Sequence, residues 1–158
     1  MVLHGHGLVE RQQRGPAAPS GEPTCTVILA RRYLCTACTT VMRVLPASSV
    51  PFKHFSGAAI AMAFALWGLG GKSAREVREQ VSDQKLLGAG ARGWLSLGRW
   101  ARQVVSGRLF AGLGLAGLAG GPRVLAARAA QALIGWAAPA AREASPEAAA
   151  FNGASHVN

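Results

Sequence analysis

The chain has 158 residues, a length typical of one domain, and half of its residues are hydrophobic, which excludes a fully disordered polypeptide. Its 17 lysines and arginines outnumber its 7 acidic residues, and the net charge of +10 is typical of proteins that bind nucleic acid or another anionic surface. Seven scattered acids argue against a carboxylate-based metal enzyme, and three cysteines are too few for a disulfide scaffold.

The first 46 residues predict an arm followed by a small hairpin. Glycines and prolines recur at short intervals over 1–24, which favours a flexible arm. Residues 25–46 hold two β-branched runs on either side of Cys35 and Cys38. Strand, Cys-x-x-Cys and strand in this order are typical of a zinc knuckle in a β-hairpin, so this segment predicts half of a zinc ribbon.

Residues 55–108 predict three helices. Ser56 is a suitable cap for the first, whose apolar residues recur at helical spacing. Ser73 and Glu76 form an S-x-x-E capping box, which predicts the start of the second helix at residue 74. The apolar positions of the first helix are Ile60, Phe64 and Trp67.

The third helix is predicted over 91–105, after a turn that contains glycines. Three short helices with such a turn are typical of a helix-turn-helix unit. The apolar residues of the third helix would face the core, which leaves four polar side chains on the outward face. These are Arg92, Ser96, Arg99 and Gln103.

The cationic stretch around this helix predicts DNA binding. From Lys85 to Arg142 there are eight basic residues and no acid. Arginine can bond guanine or clamp phosphate, and glutamine can bond adenine, so the outward face predicts base contacts in the major groove. A solvated basic face with no specific partner is the alternative. The residues expected on phosphates are Lys72, Lys85, Arg102 and Arg108.

The last third of the chain predicts little further structure. Residues 109–121 are mostly Gly, Ala and Leu and predict a connector, and Pro122 opens a helix over 122–138. Residues 139–158 predict a disordered tail. The apolar stretches 58–69 and 109–121 are shorter than a membrane span of about 20 residues, which favours a cytoplasmic protein with no membrane segment.

The cysteines give an incomplete metal site. Cys35 and Cys38 would supply two ligands to zinc, whereas a structural zinc site has four. Cys25, His4 and His6 are the candidates for the missing positions. The alternative is a pair of reduced thiols. A redox role for Cys-x-x-Cys would call for a βαβ unit, which the sequence does not predict.

The order of these motifs, over roughly residues 26–108, resembles a group of short bacterial proteins that are similar to the N-terminal zinc-ribbon and helix-turn-helix region of insertion-sequence transposases. That resemblance implies DNA binding at a transposon end or regulatory site, and no catalytic residues. Members of the group carry a first Cys-x-x-Cys that this chain lacks, so the chain is expected to have a misplaced start or to be a truncated relic. The matching residues are Arg31-Arg32-Tyr33, Cys35-x-x-Cys38, Phe55-Ser56, Ile60, Ala63, Trp67-Gly68, Ser73, Val77, Gly93-Trp94, Leu97 and Arg99-Trp100.

Taken together, these features predict a mainly α protein: a small β-hairpin, a three-helix helix-turn-helix unit and a C-terminal helix. The expected function is DNA binding through helix 91–105, without catalysis, without a small-molecule substrate, and with zinc as the one candidate cofactor. Two alternatives remain. One is a small membrane-associated protein that uses the apolar stretches 58–69 and 109–121, and the other is a non-functional relic.

Overall fold

A computed structural model describes residues 2–85 and 93–157. In these ranges a three-stranded antiparallel sheet precedes six α-helices. The strands are β1 (Leu3–Pro16), β2 (Pro23–Cys35) and β3 (Val41–Val44). The helices are α1 (Gly57–Phe64, continued by a π-helical turn over Ala65–Leu69), α2 (Ala74–Val81), α3 (Leu95–Val105), α4 (Pro122–Trp136), α5 (Pro139–Arg142) and α6 (Pro146–Gly153).

The predicted mainly α fold is wrong, because about 44% of the described residues are helical and 23% are extended. Strands β2 and β3 pair at the position of the expected hairpin, and β1 adds a third strand. All of β1 falls in the segment 1–24, which was expected to be a flexible arm. It pairs with β2 from Leu3 opposite Cys35 to Pro16 opposite Pro23. Gly5 lies at the edge of a bulge, where the register with β2 shifts between Gly5 and Leu8.

One face of the sheet is covered by another segment of the chain, and the other face is exposed. One face carries Arg11 and Gln13 of β1 with Ala30 of β2, and the segment that leads from β3 to α1 lies across it. The opposite face is open, and apolar side chains on it remain more than half exposed. Those side chains are Leu8, Val27, Leu29 and Val44.

Helix α1 lies at the centre of the hydrophobic core. Every residue from Ala59 to Leu66 is buried, as expected of a helix that other elements surround. Helices α2, α3, α4 and α6 and strand β1 all contact it. The capping box at Ser73 and Glu76 is present at the start of α2, which confirms that prediction.

The predicted helix-turn-helix unit is also wrong. Helix α3 packs mainly on α4, and α2 packs on α1 and β1. The apolar stripes explain this arrangement, because Val77 and Val81 of α2 and Leu97 and Val104 of α3 are fully buried against these other elements. The second and third helices therefore do not form the paired unit in which a recognition helix is presented to DNA.

The C-terminal segment, expected to be a disordered tail, forms α5 and α6. Pro139 and Pro146 lie at first helical positions, where a missing N–H costs nothing, rather than at helix ends. Ala149, Ala150 and Ala154 are buried in the core, so this segment is part of the fold. The expected connector 109–121 is irregular apart from a 3₁₀ turn, and its first two residues, Leu109 and Phe110, are buried.

The apolar stretch 58–69 lies within α1 and its π-helical continuation, in the middle of the protein. Across the ranges 2–85 and 93–157, no helix combines the length and apolarity that crossing a bilayer requires.

Candidate functional site

Two clefts lie side by side next to the segment that joins β3 to α1. The first has a volume of about 700 Å³ and opens between β3 and this segment. The second, of about 340 Å³, lies between the same segment and α3. Phe52, Lys53 and His54 line both, so the clefts adjoin along this segment, and we call them together the basic groove. The other residues that line it are Arg11, Val41, Arg43, Leu45, Pro51, Phe55, Ser96, Arg99, Trp100 and Gln103.

Strand β1 holds the segment that forms the middle of the groove. The Arg14 N–H donates to the carbonyl of His54 at 2.6 Å, and the Ser56 N–H donates to the carbonyl of Arg14 at 3.1 Å. The Arg11 guanidinium donates to the main-chain oxygen of Val50 at 2.7 Å and to that of Lys53. These four hydrogen bonds fix the main chain on both sides of Lys53.

An aromatic cluster fixes the same segment to α3. Phe55 makes edge contacts with Trp94, at 5.5 Å between ring centroids, and with Trp100, at 5.2 Å. The two tryptophans contact each other at 5.0 Å. Trp100 is buried and Trp94 partly buried, so these rings anchor the helix. The two walls of the second cleft are therefore held at a fixed spacing.

Phe52 is the exception among the aromatic residues near the groove. Its side chain is 98% exposed, and its φ of +60° lies in the left-handed region. A bulky residue rarely adopts this conformation, which costs about 1–2 kcal/mol. No burial offsets that cost, so packing does not account for a phenylalanine at this position. Strained residues of this kind cluster at binding sites.

The groove is strongly cationic. Arg43, Lys53 and Arg99 line it, and no acidic residue is among the described residues that do. Partial burial lowers the pKa of Lys53, because the ammonium group loses hydration there. Arg43 is also directly opposite Arg32 on the neighbouring strand, and the Nε of Arg32 is buried without a partner among the described residues. The Arg32 guanidinium itself lies beside Gly7 of β1.

Part of the predicted DNA-contacting face lies in this groove. Arg99 is exposed, while Ser96 and Gln103 are half-buried beside the 52–55 segment. The Oε1 of Gln103 is buried and accepts no hydrogen bond from the described residues. An unsatisfied buried acceptor of this kind calls for a donor, which a ligand or a water could supply.

The other residues that were predicted to contact DNA do not line the basic groove. Lys72 is partly buried near the start of α2, and Arg123 donates to its carbonyl at 2.6 Å. Lys85 lines a different cleft together with carboxylates, Glu79 and Asp83 among them. Arg102 and Arg108 are exposed but do not line the groove, and Arg92 lies outside the described residues.

The cysteines stay two metal ligands short. Cys35 is buried at the end of β2, and Cys38 is exposed in the turn that follows. Within residues 2–85 and 93–157, no group of three or more His, Cys, Asp or Glu side chains is placed to hold a metal ion. His4 and His6 are therefore not brought to the two thiols as ligands. Zinc binding at Cys35 and Cys38 stays a prediction.

The sequence analysis missed the middle of the groove, because Lys53 and His54 lie between the predicted hairpin and the predicted helices, where no element was expected. One signal was available. In Pro51-Phe52-Lys53-His54 an aromatic residue stands between a proline and two residues that can carry positive charge, which is a pattern suited to contact with a nucleotide chain. Arg43 was not considered as a binding residue, because it lies in the segment that was predicted to be a zinc-ribbon hairpin.

Comparison with protein-family models, with curated proteins and with solved structures found no match to this chain. The resemblance to insertion-sequence transposases therefore stays a prediction.

Proposed function

We propose that this protein binds single-stranded nucleic acid in the basic groove. In this proposal a base stacks on Phe52, and the phosphates of the strand lie against Arg43, Lys53 and Arg99. Proteins that bind single strands combine these same two features, a cationic groove and an exposed aromatic ring.

The observation that carries the proposal is the position of Phe52. Its ring is almost fully exposed, it pays a conformational cost, and it stands between the two cationic clefts. An unpaired base offers a π-face to such a ring, and stacking contributes about 1–3 kcal/mol per base. A solvated basic surface would have no need of an aromatic side chain held in this conformation.

The cations supply the second part of the affinity. Each phosphate that Arg43, Lys53 or Arg99 neutralises releases condensed counterions, so binding should weaken as salt rises. The buried Oε1 of Gln103 could accept a hydrogen bond from an exocyclic amino group of a base.

A single strand suits this surface better than a duplex. The face of α3 that carries Ser96, Arg99 and Gln103 borders the 52–55 segment, which stands where the wall of a major groove would have to pass. Bases in a duplex are also stacked on each other and cannot reach Phe52. The DNA-binding expectation is thus retained in a changed form, in which α3 is one wall of a groove.

The proposal assigns no catalysis, no small-molecule substrate and no membrane role to the protein, and it takes the cytoplasm as the compartment in which the protein meets nucleic acid. It does not depend on zinc.

The test is a titration of a fluorescently labelled single-stranded oligonucleotide, followed by anisotropy, alongside the same strand annealed to its complement. We expect tighter binding of the single strand, and a linear fall of log affinity with log salt. Equal or tighter binding of the duplex would contradict the proposal.

Heparin serves as the control polyanion, since it carries charge but no bases. If heparin competes with the oligonucleotide at equal charge concentration as well as an unlabelled single strand does, the groove is only a cationic surface, and the stacking role of Phe52 is wrong.

A further inference from the structure

The turn between β2 and β3 places two thiols together. Cys35 is the last residue of β2, and its main chain is bonded on both sides: its N–H donates to the carbonyl of Thr40 at 2.9 Å, and its carbonyl accepts from the N–H of Thr39 at 2.8 Å. Cys38 lies between these bonds. The backbone therefore holds the two cysteines in one tight turn, three residues apart.

The two side chains differ in access. The Cys35 side chain is buried and Cys38 is exposed. An accessible thiol beside a second, shielded thiol is the arrangement that thiol–disulfide exchange uses.

We propose that Cys35 and Cys38 are a redox-active dithiol, which a low-molecular-weight disulfide such as oxidised glutathione converts to an intramolecular disulfide. This inference is independent of the function proposed above, because neither cysteine lines the basic groove. It also differs from a zinc site, for which the described residues supply only these two ligands.

The reaction balances in two exchanges. The Cys38 thiolate attacks one sulfur of the small disulfide, which forms a mixed disulfide and releases one small thiolate. The Cys35 thiol, after losing its proton to that thiolate or to solvent, then attacks the Cys38 sulfur, which closes the Cys35–Cys38 bond and releases the second small thiol. The protein loses two protons and two electrons, and the small disulfide is reduced to two thiols.

The geometry favours closure over a lasting mixed disulfide. A disulfide requires Cα atoms about 4.4–6.8 Å apart. Cys35 and Cys38 are three residues apart in a turn that the hydrogen bond from the Thr39 N–H to the Cys35 carbonyl closes, so little backbone movement is needed to meet this distance. Cys25 has no such partner in the described part of the chain. It is exposed on β2, opposite Arg14, and it serves as an internal reference.

The experiment uses the Cys25→Ser protein, treated with a chelator and equilibrated in glutathione buffers of increasing oxidation. After an acid quench, intact mass identifies the product. We expect loss of two hydrogens with little glutathione adduct. Accumulation of glutathione adducts without the intramolecular disulfide would overturn the proposal.

Two further measurements remove any dependence on how well a variant folds. In the wild-type protein, limiting iodoacetamide should modify the exposed Cys38 before the buried Cys35, as read by peptide mass with the exposed Cys25 as the reference, and the reverse order would overturn the assigned nucleophile. In the Cys25→Ser, Cys38→Ser protein, whose buried Cys35 is left alone, we expect almost no adduct. Rapid adduct formation there, with an unchanged circular dichroism spectrum, would contradict the assigned order of attack.

Discussion

Arg11 of β1 donates a hydrogen bond from Nη2 to the main-chain oxygen of Lys53, 42 residues later in the chain. The same atom donates to the carbonyl of Val50 at 2.7 Å. A strand that the sequence did not predict thus fixes the loop that forms the centre of the basic groove. Within the loop itself, only an isolated bridge between Ser49 and Ser56 and short turns accompany this pairing, with no helix or longer strand between Pro46 and Ser56.

Arg11→Met should release this loop. Two carbonyls lose a charged donor, so we expect a loss of about 1–2 kcal/mol in the free energy of unfolding, together with weaker binding of the single-stranded oligonucleotide. Urea unfolding and the anisotropy titration measure the two effects. Gln12→Ala, at an exposed neighbour, is the control and should change stability by no more than about 0.5 kcal/mol. An unchanged affinity in Arg11→Met would show that the loop does not contribute to binding.

Phe52→Gly should affect stability and binding in opposite directions. Glycine adopts the left-handed conformation without strain, so the fold should gain up to about 1 kcal/mol, while binding loses about 1–3 kcal/mol of stacking energy. Phe52→Trp is the matched control, because it retains a stacking ring and should bind at least as well as the wild type. If Phe52→Gly weakened the fold and left affinity unchanged, the ring would be structural.

Arg99→Ala should weaken binding by roughly 1 kcal/mol and reduce the slope of log affinity against log salt by about 0.7, the value for one phosphate contact on a single strand. Arg128→Ala removes an exposed arginine of α4 that does not line the groove, and it should leave the slope unchanged. Equal effects of the two substitutions would mean that only net charge matters.

Local signals in the sequence were enough to predict several elements. The capping box of Ser73 and Glu76 located the start of α2, and apolar spacing predicted α3, although that helix begins at Leu95 and the predicted residues 91–92 lie outside the described part. These features succeed because hydrogen bonds and side-chain faces within one helix determine them.

Non-local contacts explain what was missed. Strand β1 contains the polar run Glu10–Arg14 and two glycines near its start, so it has no alternating pattern, and its extended form comes from pairing with β2. The groove was missed for the same reason, since Arg43, Lys53 and Arg99 are brought together only by tertiary packing. In the C-terminal segment, which was expected to be disordered, Pro139 and Pro146 are helix starts.

Gly153→Ala tests whether the C-terminal segment is part of the core. A Cβ at this position would overlap the carbonyl oxygen of Leu133, where α6 crosses α4. We therefore expect the free energy of unfolding to fall by about 1–3 kcal/mol. Gly135→Ala is the control on α4. Its Cβ would meet open space, and the substitution should stabilise the helix by up to about 1 kcal/mol. A disordered tail would instead tolerate the substitution at Gly153 without loss.

Glu76 should make the free energy of unfolding depend on pH in the acidic range. Hydrogen bonds from the side chain and main chain of Ser73 lower the pKa of this carboxylate below its ordinary 4.5. A group whose pKa is lower in the folded state stabilises the fold above its unfolded pKa, and that contribution is lost as the pH falls through the folded value. Glu76→Gln should therefore narrow the difference in stability between about pH 7 and about pH 3. An unchanged difference in urea unfolding would contradict the role of the capping box.

Photocrosslinking tests the central claim most directly, because it identifies the residues in contact with the bound strand. A single-stranded oligonucleotide that contains a photoreactive base is bound at low salt and irradiated, and the attached peptide is sequenced by mass spectrometry. The basic groove predicts attachment at Phe52 or its neighbours Lys53 and His54. Attachment confined to α4, α5 or α6, with none in the 51–55 segment, would contradict the account.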